Sequence, residues 1–256
     1  ANSDRFAYFG DLHVHTTYSF DAYAFGTLAT PHDAYRYARG EAILHPAGFE
    51  VQLRQPLDFY AVTDHAMFLG VAAAAGDTST EFSKTEVAEP LNDLNAPGNR
   101  GITSVLPRVQ VFSSFLPNLV TGIREGSVDR EQVLDITRSA WQDIITAADL
   151  FNDQGRFTTF VAYEYTPSSD DRGNLHRNVI FKGSDKLPAV PFSRFHSQNP
   201  EGLWEWMDGL RDQGIESLAI PHNSNGSNGQ MFKMVNWAGD PLDDDYATQR
   251  IRNEPL

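Results

Sequence analysis

Short apolar runs recur along the chain, and several of them end in a histidine or an acidic residue. β-branched and aromatic residues dominate the clearest of these runs, residues 157–163, as is typical of strands in a buried sheet. The predicted strands are residues 6–9, 56–63, 157–163, 178–181 and 217–221. They alternate with stretches in which apolar residues recur every three or four positions, as in helices, and this alternation predicts an α/β fold.

Helical periodicity is clearest over Asp129–Asn152, where an apolar residue recurs every three or four positions. Asn199–Gln213 is a second amphipathic helix that Gly214 closes, and its pattern leaves Trp204 off the buried face, so we expect that side chain to be exposed. A third helix is predicted from the Thr30 cap and the Pro that follows it, up to Gly40. Residues 243–245, three aspartates, read as a solvated turn.

The pattern breaks between Gly76 and Gly126 into a polar stretch with four prolines. Only Val109–Phe112 within it resembles a strand. Long irregular segments in compact domains are usually functional or mobile, so residues 76–126 are predicted to be an insertion that could act as a lid. At 256 residues and 41% hydrophobic content, residues 1–256 can form one domain around one core.

Histidines gather at the ends of the predicted strands. His13 and His15 are two residues apart, so in an extended strand both imidazoles face the same side. His65 ends the second run, and the remaining strand-end residues are Glu164, His176 and His222. Histidines that serve only packing would be expected to scatter, so the pattern predicts a metal site.

Composition limits the chemistry of that site and the partners of the chain. With no cysteine, any metal is held by nitrogen and oxygen, a ligand set that suits zinc, manganese, iron or magnesium. Lys and Arg total 20 against 34 Asp and Glu, a formal charge of −14, which argues against binding to nucleic acid backbones or anionic membranes. An anionic small-molecule substrate would need local positive charge, which divalent cations can supply.

Localisation is read from the ends and the apolar runs. No stretch approaches the roughly 20 apolar residues of a membrane-spanning helix. The chain begins at Ala1 without an initiator Met, which fits a cleaved secretory signal or an engineered start. The expectation is a periplasmic or secreted protein, with a cytoplasmic location as the alternative.

The strand-end motifs resemble those of the PHP (polymerase and histidinol phosphatase) family. The resemblance is closest to a large bacterial branch usually labelled only as a domain of unknown function. It runs through nearly the whole chain, over Phe9–Thr16 with Ser19 and Asp21, then Thr63–His65, Glu164, His176 and Pro221–His222. It implies a distorted (β/α)7 TIM-like barrel whose C-terminal face holds two or three divalent metals (Mn, Zn or Fe) and hydrolyses phosphate esters.

The same resemblance implies the ligand set. His13 and His15 would bind a first metal, and Glu164 would bridge it to a second one. His176 and His222 would hold that second metal, and Asp21 and His65 would bind a third. Asp64 would orient a metal-bound imidazole.

One departure from that family concerns the chain's end. Family members complete the site with a late Asp-x-His element, and no such motif follows His222. The expectation is therefore a fragment with an incomplete barrel, a protein whose remainder is a separate piece, or an incomplete site.

These features favour a metal-dependent phosphoesterase that acts on phosphodiesters, phosphomonoesters or phosphonate esters through a metal-bridging hydroxide. Arg172 and Arg177 are candidates to clamp phosphate oxygens, with Arg177 also a catalytic candidate. Asn223 begins a polar loop whose amides could cradle an anion. The alternatives are an amidohydrolase-like enzyme acting at a carbon centre and a noncatalytic metal-binding domain.

Overall fold

A computed structural model of the chain describes residues 6–100 and 105–255. The chain divides into two compact units. The first comprises the chain up to Val62 together with Phe68–Thr159, and the second comprises Thr63–Met67 and the chain from Phe160 onward. The single-domain prediction stays a prediction.

The strands of the first unit are short. Strand β1, Gly10–Asp11, pairs in parallel with β4, Phe59–Val62. Strands β2, Ile43–Leu44, and β3, Glu50–Val51, form an antiparallel hairpin. The predicted strand at 56–63 is thus confirmed in its central part.

Helices are the main regular elements of the first unit. They are α1, Phe20–Ala24; α2, Pro31–Ala38; α3, Val71–Gly76; α4, Val105–Glu125; and α5, Arg130–Phe151; short 3-10 helices span Phe82–Lys84, Glu86–Leu91 and Pro97–Asn99. The predicted cap of α2 is confirmed, because Thr30 Oγ1 accepts from Asp33 N and the Asp33 carboxylate accepts from Thr30 N. Helix α5 buries the apolar stripe that its period predicts, except for Ile136, which is half-buried.

Two predictions for this unit are wrong. Residues 6–9 are not a buried strand, because they lie outside β1 and Phe6, Tyr8 and Phe9 are each more than two-thirds exposed. Val109–Phe112 is not a strand, because it belongs to α4. That helix buries Val111, Phe115 and Leu119 at four-residue spacing and tolerates Pro117 in its interior. The prolines concealed this period.

The second unit contains an antiparallel sheet. Strand β5, Thr158–Tyr165, belongs to this unit from Phe160 onward. It pairs antiparallel with β6, Arg177–Phe181. Strand β6 pairs antiparallel with β7, Ser217–Pro221. The end of β5 also forms a parallel bridge with Thr63–Met67, between Glu164 and His65. The predicted strands at 157–163, 178–181 and 217–221 are confirmed within one or two residues.

Two α-helices and two 3-10 turns complete the description of this unit. They are α6, Pro200–Arg211, and α7, Asp244–Asn253, with Ser224–Gly226 and Gln230–Phe232 as the 3-10 turns. The aspartates predicted as a turn instead begin α7, with Asp243 capping Tyr246 N. The prediction that Trp204 is exposed is wrong, because its side chain is only 1% exposed. Tyr246 of α7 packs edge-on against the Trp204 ring, with the ring centroids 5.3 Å apart.

The predicted (β/α)7 barrel is wrong, and the fold is a mixed α/β one. A barrel of that type repeats parallel strands joined by helices. Here β6 pairs antiparallel with both β5 and β7, and no helix separates β5 from β6 in the described chain. Parallel pairing is found at β1 with β4 and at the bridge between His65 and Glu164.

Candidate metal centre

A buried carboxylate lies at the centre of the candidate site in the second unit. Glu164 is the seventh residue of β5, and its side chain is only 1% exposed. An ionised carboxylate without a partner is costly to bury, so such a group is normally paired with cations, hydrogen-bond donors or a metal.

Three imidazoles surround the Glu164 carboxylate. His176 Nδ1 lies 2.6 Å and His222 Nε2 lies 3.1 Å from Oε1, and His65 Nδ1 lies 3.5 Å from Oε2. The three histidine side chains are 7–17% exposed, so the cluster is reached from solvent along part of its surface only. Thr166 Oγ1, 2.6 Å from His65 Nδ1, helps fix the orientation of that ring.

The sheet explains why residues distant in sequence meet here. Glu164 lies near the carboxyl end of β5, and His222 directly follows β7. His176 directly precedes β6, so it joins them only because β6 runs antiparallel to both neighbours. The His222 N–H extends the ladder by donating to the His176 carbonyl at 3.2 Å.

The segment that carries His65 is held in place by the backbone. Glu164 N donates to the Asp64 carbonyl, and Ala66 N donates to the Glu164 carbonyl, both at 3.0 Å. This parallel bridge places His65 directly beside Glu164. The side chains of Glu164 and its three histidines therefore project from adjacent backbone segments at one end of the sheet.

These residues have the chemistry of a metal site. One nitrogen each from His65 and His176 and one oxygen of Glu164 lie within 4.8 Å of one another and could hold a metal ion. Imidazole nitrogen with carboxylate oxygen is a common donor set for zinc, iron and manganese. The donors converge from strand ends whose backbones are fixed by hydrogen bonds, which is how rigid sites are built.

A second histidine group lies in the first unit. The His13 and His15 rings are 5.2 Å apart, and His15 Nδ1 lies 3.3 Å from the Asp21 carboxylate and 3.1 Å from Ser19 Oγ. Asp11 accepts the His13 backbone N–H at 2.9 Å. The structure thus places His13 beside His15, as predicted, and Asp21 beside His15, whereas the sequence had assigned Asp21 to a metal shared with His65. The role of these residues as metal ligands stays a prediction.

Asp64 and Arg177, the two predicted catalytic residues, are both buried in the second unit. Asp64 has no solvent exposure, and its carbonyl supports Glu164 as described. Arg177 is 3% exposed and donates its Nε to Glu254 Oε1 at 2.6 Å and its Nη1 to the Leu175 carbonyl. The contacts with Glu254 and Leu175 give Arg177 a structural function that the sequence did not predict. The catalytic roles of Arg177 and Asp64 stay predictions.

The two predicted substrate-binding positions outside the strands occupy left-handed backbone. Arg172 has φ of 62° in a turn where its N–H donates to the Ser169 carbonyl. Asn223, directly after His222, has φ of 57° and accepts the Gly226 N–H at 2.8 Å. Non-glycine residues adopt this region sparingly, although Asn does so more readily than Arg. Substrate contact by either residue stays a prediction.

Comparison with known proteins places the chain in a family without naming an activity. Residues 2–256 match a family described as "Protein of unknown function (DUF3604)", and the chain belongs to that family. Neither the curated proteins nor the solved structures gave a match.

The family match overturns one sequence-based assignment. Assignment to the PHP family is wrong, because the model that matches nearly the whole chain is DUF3604. The activity and ligand roles that came only from that resemblance therefore lose its support, and the local geometry must stand by itself. Across the residues that the structure describes, no helix has the length and apolarity to cross a membrane.

Proposed function

We propose that this member of the DUF3604 family is a metal-dependent hydrolase that uses the centre around Glu164, and that its substrates are phosphate esters. The observation that supports the proposal is the buried Glu164 carboxylate with imidazole nitrogens 2.6 Å, 3.1 Å and 3.5 Å from its oxygens. A carboxylate in this setting is electrostatically suited to a cation, since burial strengthens its field.

The chain's own residues would divide the work. His65, His176 and Glu164 would hold a divalent ion, with His222 on the same carboxylate oxygen as His176. Thr166 would keep the His65 ring oriented, as partners of metal-binding imidazoles generally do. The partial exposure of His176 and His222 leaves access for a small substrate.

The bound ion would be zinc, manganese or iron. It would supply a Lewis acid that activates water and offsets negative charge on the ester under attack. Phosphate esters are the proposed substrates because their nonbridging oxygens are hard, anionic ligands for such an ion. A chain with a formal charge of −14 has particular need of a local cation to bind them. Two or three ions per chain, and export to the periplasm, are further proposals from the sequence.

Chelation and variant activity test this function. The full chain, stripped with a chelator, should regain hydrolysis of p-nitrophenyl phosphate or bis(p-nitrophenyl) phosphate when manganese or zinc is restored. His176→Ala should lower the restored rate more than about 100-fold, since a direct ligand matters more than the groups that orient ligands. Release of p-nitrophenol measures both effects.

His196→Ala is the matched control for that variant. His196 lies in the same unit, but its ring stacks on Phe192 at 5.0 Å and its Nδ1 accepts from Ser193 N. The control should keep the wild-type rate. Turnover that survives exhaustive chelation would refute metal dependence. Metal retention without turnover of any phosphate ester, alongside turnover of p-nitrophenyl acetate or an anilide, would move the substrate to a carbon centre.

A further inference from the structure

A cavity in the first unit combines apolar walls with positive charge. Its volume is about 350 Å³, within the range of small-molecule sites. Phe25, Leu28, Ile43 and Val51 supply apolar surface, and Arg100, Arg108 and His45 supply the basic groups, while none of the described residues that line it is Asp or Glu. In a chain with 34 acidic residues and 20 basic ones, that local composition is unusual.

The charge of Arg108 is buried, and its hydrogen-bond partners among the described residues carry no opposite charge. Arg108, on α4, is 7% exposed. Its Nη1 donates to the Ala24 carbonyl and to Asn95 Oδ1, and its Nη2 donates to the Leu94 and Asn99 carbonyls, at 2.8–3.0 Å. All four partners are neutral, so the guanidinium is hydrogen-bonded but its charge is not compensated.

Arg100 adds a second positive charge to the same cavity. It donates Nε to the Asn95 carbonyl at 2.9 Å and Nη1 to the Pro46 carbonyl at 2.8 Å, again neutral acceptors. Burial and the neighbouring Arg100 charge both lower the pKa of Arg108. Two guanidinium groups that repel each other would both be stabilised by an anion between or beside them.

His45 provides an N–H for such an anion. Its Nδ1 accepts the Ala47 N–H at 3.1 Å, so in the neutral ring the proton resides on Nε2. The ring stacks on Phe49 at 4.5 Å, which fixes its plane within the β2–β3 hairpin. The hairpin region and the segment from Phe25 to Ala29 therefore both line the cavity, which offers hydrogen-bond donors and apolar side chains.

We propose that this cavity is a binding site for an organic carboxylate with an apolar body. The carboxylate would pair with Arg100 and His45 in the field of Arg108, and the apolar body would lie against Phe25, Leu28 and Ile43. An inorganic anion would leave the apolar wall unused, and a neutral apolar molecule would leave the two arginines uncompensated. The site is independent of the centre around Glu164.

Octanoate and octanol discriminate the proposal, because they share an apolar chain and differ in charge. Octanoate should displace the fluorescent anion 8-anilinonaphthalene-1-sulfonate from the full chain, and octanol at equal concentration should not. Arg100→Gln should weaken octanoate about tenfold or more, since a hydrogen bond to a charged group contributes on the order of that factor.

Arg54→Gln is the matched control, because it makes the same change at an exposed arginine of the same unit that does not line the cavity. It should leave octanoate affinity within about twofold, the small effect of an exposed, screened charge that does not contact the ligand. Leu44→Asp gives an independent test, since Leu44 lines the cavity and is 72% exposed, so a polar side chain there should not disturb the core. The new carboxylate should weaken octanoate as well.

Three results would overturn the proposal. They are equal binding of octanol and octanoate, equal affinity of Arg100→Gln and Arg54→Gln, and unchanged affinity of Leu44→Asp. Circular dichroism and the thermal midpoint of each variant show whether it is folded. If Arg100→Gln does not fold, the octanoate affinity of Leu44→Asp tests the proposal instead.

Discussion

The centre around Glu164 and the cavity around Arg108 handle a buried charge in opposite ways. Glu164 is 1% exposed and is surrounded by imidazoles, which can be neutral ligands or cations. Arg108 is 7% exposed, and in the part of the chain that the structure describes its partners are neutral oxygens. The first arrangement suits a cation that the imidazoles help to hold, and the second suits an anion.

The two regions also differ in how they are held. Backbone pairing of β5, β6, β7 and Thr63–Met67 fixes the carboxylate and its histidines. Arg108 instead stabilises the backbone around it, since its four hydrogen bonds join α4 to Ala24 and to the segment from Leu94 to Asn99. A change at Glu164 should therefore affect binding, whereas a change at Arg108 should also affect stability.

Glu164→Gln should have the largest effect on the comparison. The amide keeps the shape of the side chain but removes its charge, so divalent metal affinity should fall more than about 100-fold. Calorimetric titration with zinc or manganese measures this change. Glu205→Gln, at an exposed position of α6, is the control and should bind like the wild type. Equal affinity in both variants would remove Glu164 from the site.

Arg108→Met should lower the free energy of unfolding by about 2–4 kcal/mol, because it leaves buried carbonyls without donors. Urea denaturation measures the loss, with Arg54→Met as the exposed control. Octanoate should raise the thermal midpoint of the wild type and have less effect on Arg108→Met. Full stability of the variant would show that the four hydrogen bonds contribute little.

Salt should give the smallest effect and the sharpest contrast. Arg100 is exposed, so raising ionic strength from about 0.05 M to about 0.5 M should weaken octanoate several-fold as the Debye length shortens. Screening is weaker at buried charges, so the Glu164 centre should lose less metal affinity over the same range. Octanoate affinity that does not change with ionic strength would mean that apolar contacts alone stabilise the complex.

The sequence predicted that Glu164, His176 and His222 lie together, because strand propensity and strand-end chemistry are local signals. It assigned His65 to a different metal with Asp21, whereas the structure places His65 beside Glu164 and His176. The apolar runs that end at Glu164 and His222 form strands as predicted. The direction in which strands pair depends on residues distant in sequence. The barrel prediction was wrong because it assumed parallel strands where β6 pairs antiparallel with both neighbours. His176 precedes its strand while Glu164 and His222 end theirs, a difference that already favours antiparallel pairing.

Other features depended on contacts between distant residues. Trp204 is buried by α7, a helix that its polar composition concealed. The aromatic residues at 6–9 have the propensity of a strand but are exposed, since propensity alone does not determine burial. Arg108 lies in a stretch interrupted by prolines, and nothing in the local pattern marks it as a buried cation.

The central claim is that Glu164 and its histidines hold a divalent metal, and anomalous diffraction tests it most directly. Crystals of the full chain, grown or soaked with zinc or manganese, would be measured at the absorption edge of that metal. An anomalous peak about 2.0–2.3 Å from the Glu164 carboxylate and from nitrogens of His65 and His176 is the predicted result. A metal bound only elsewhere, or no peak at this position after soaking, would contradict the account.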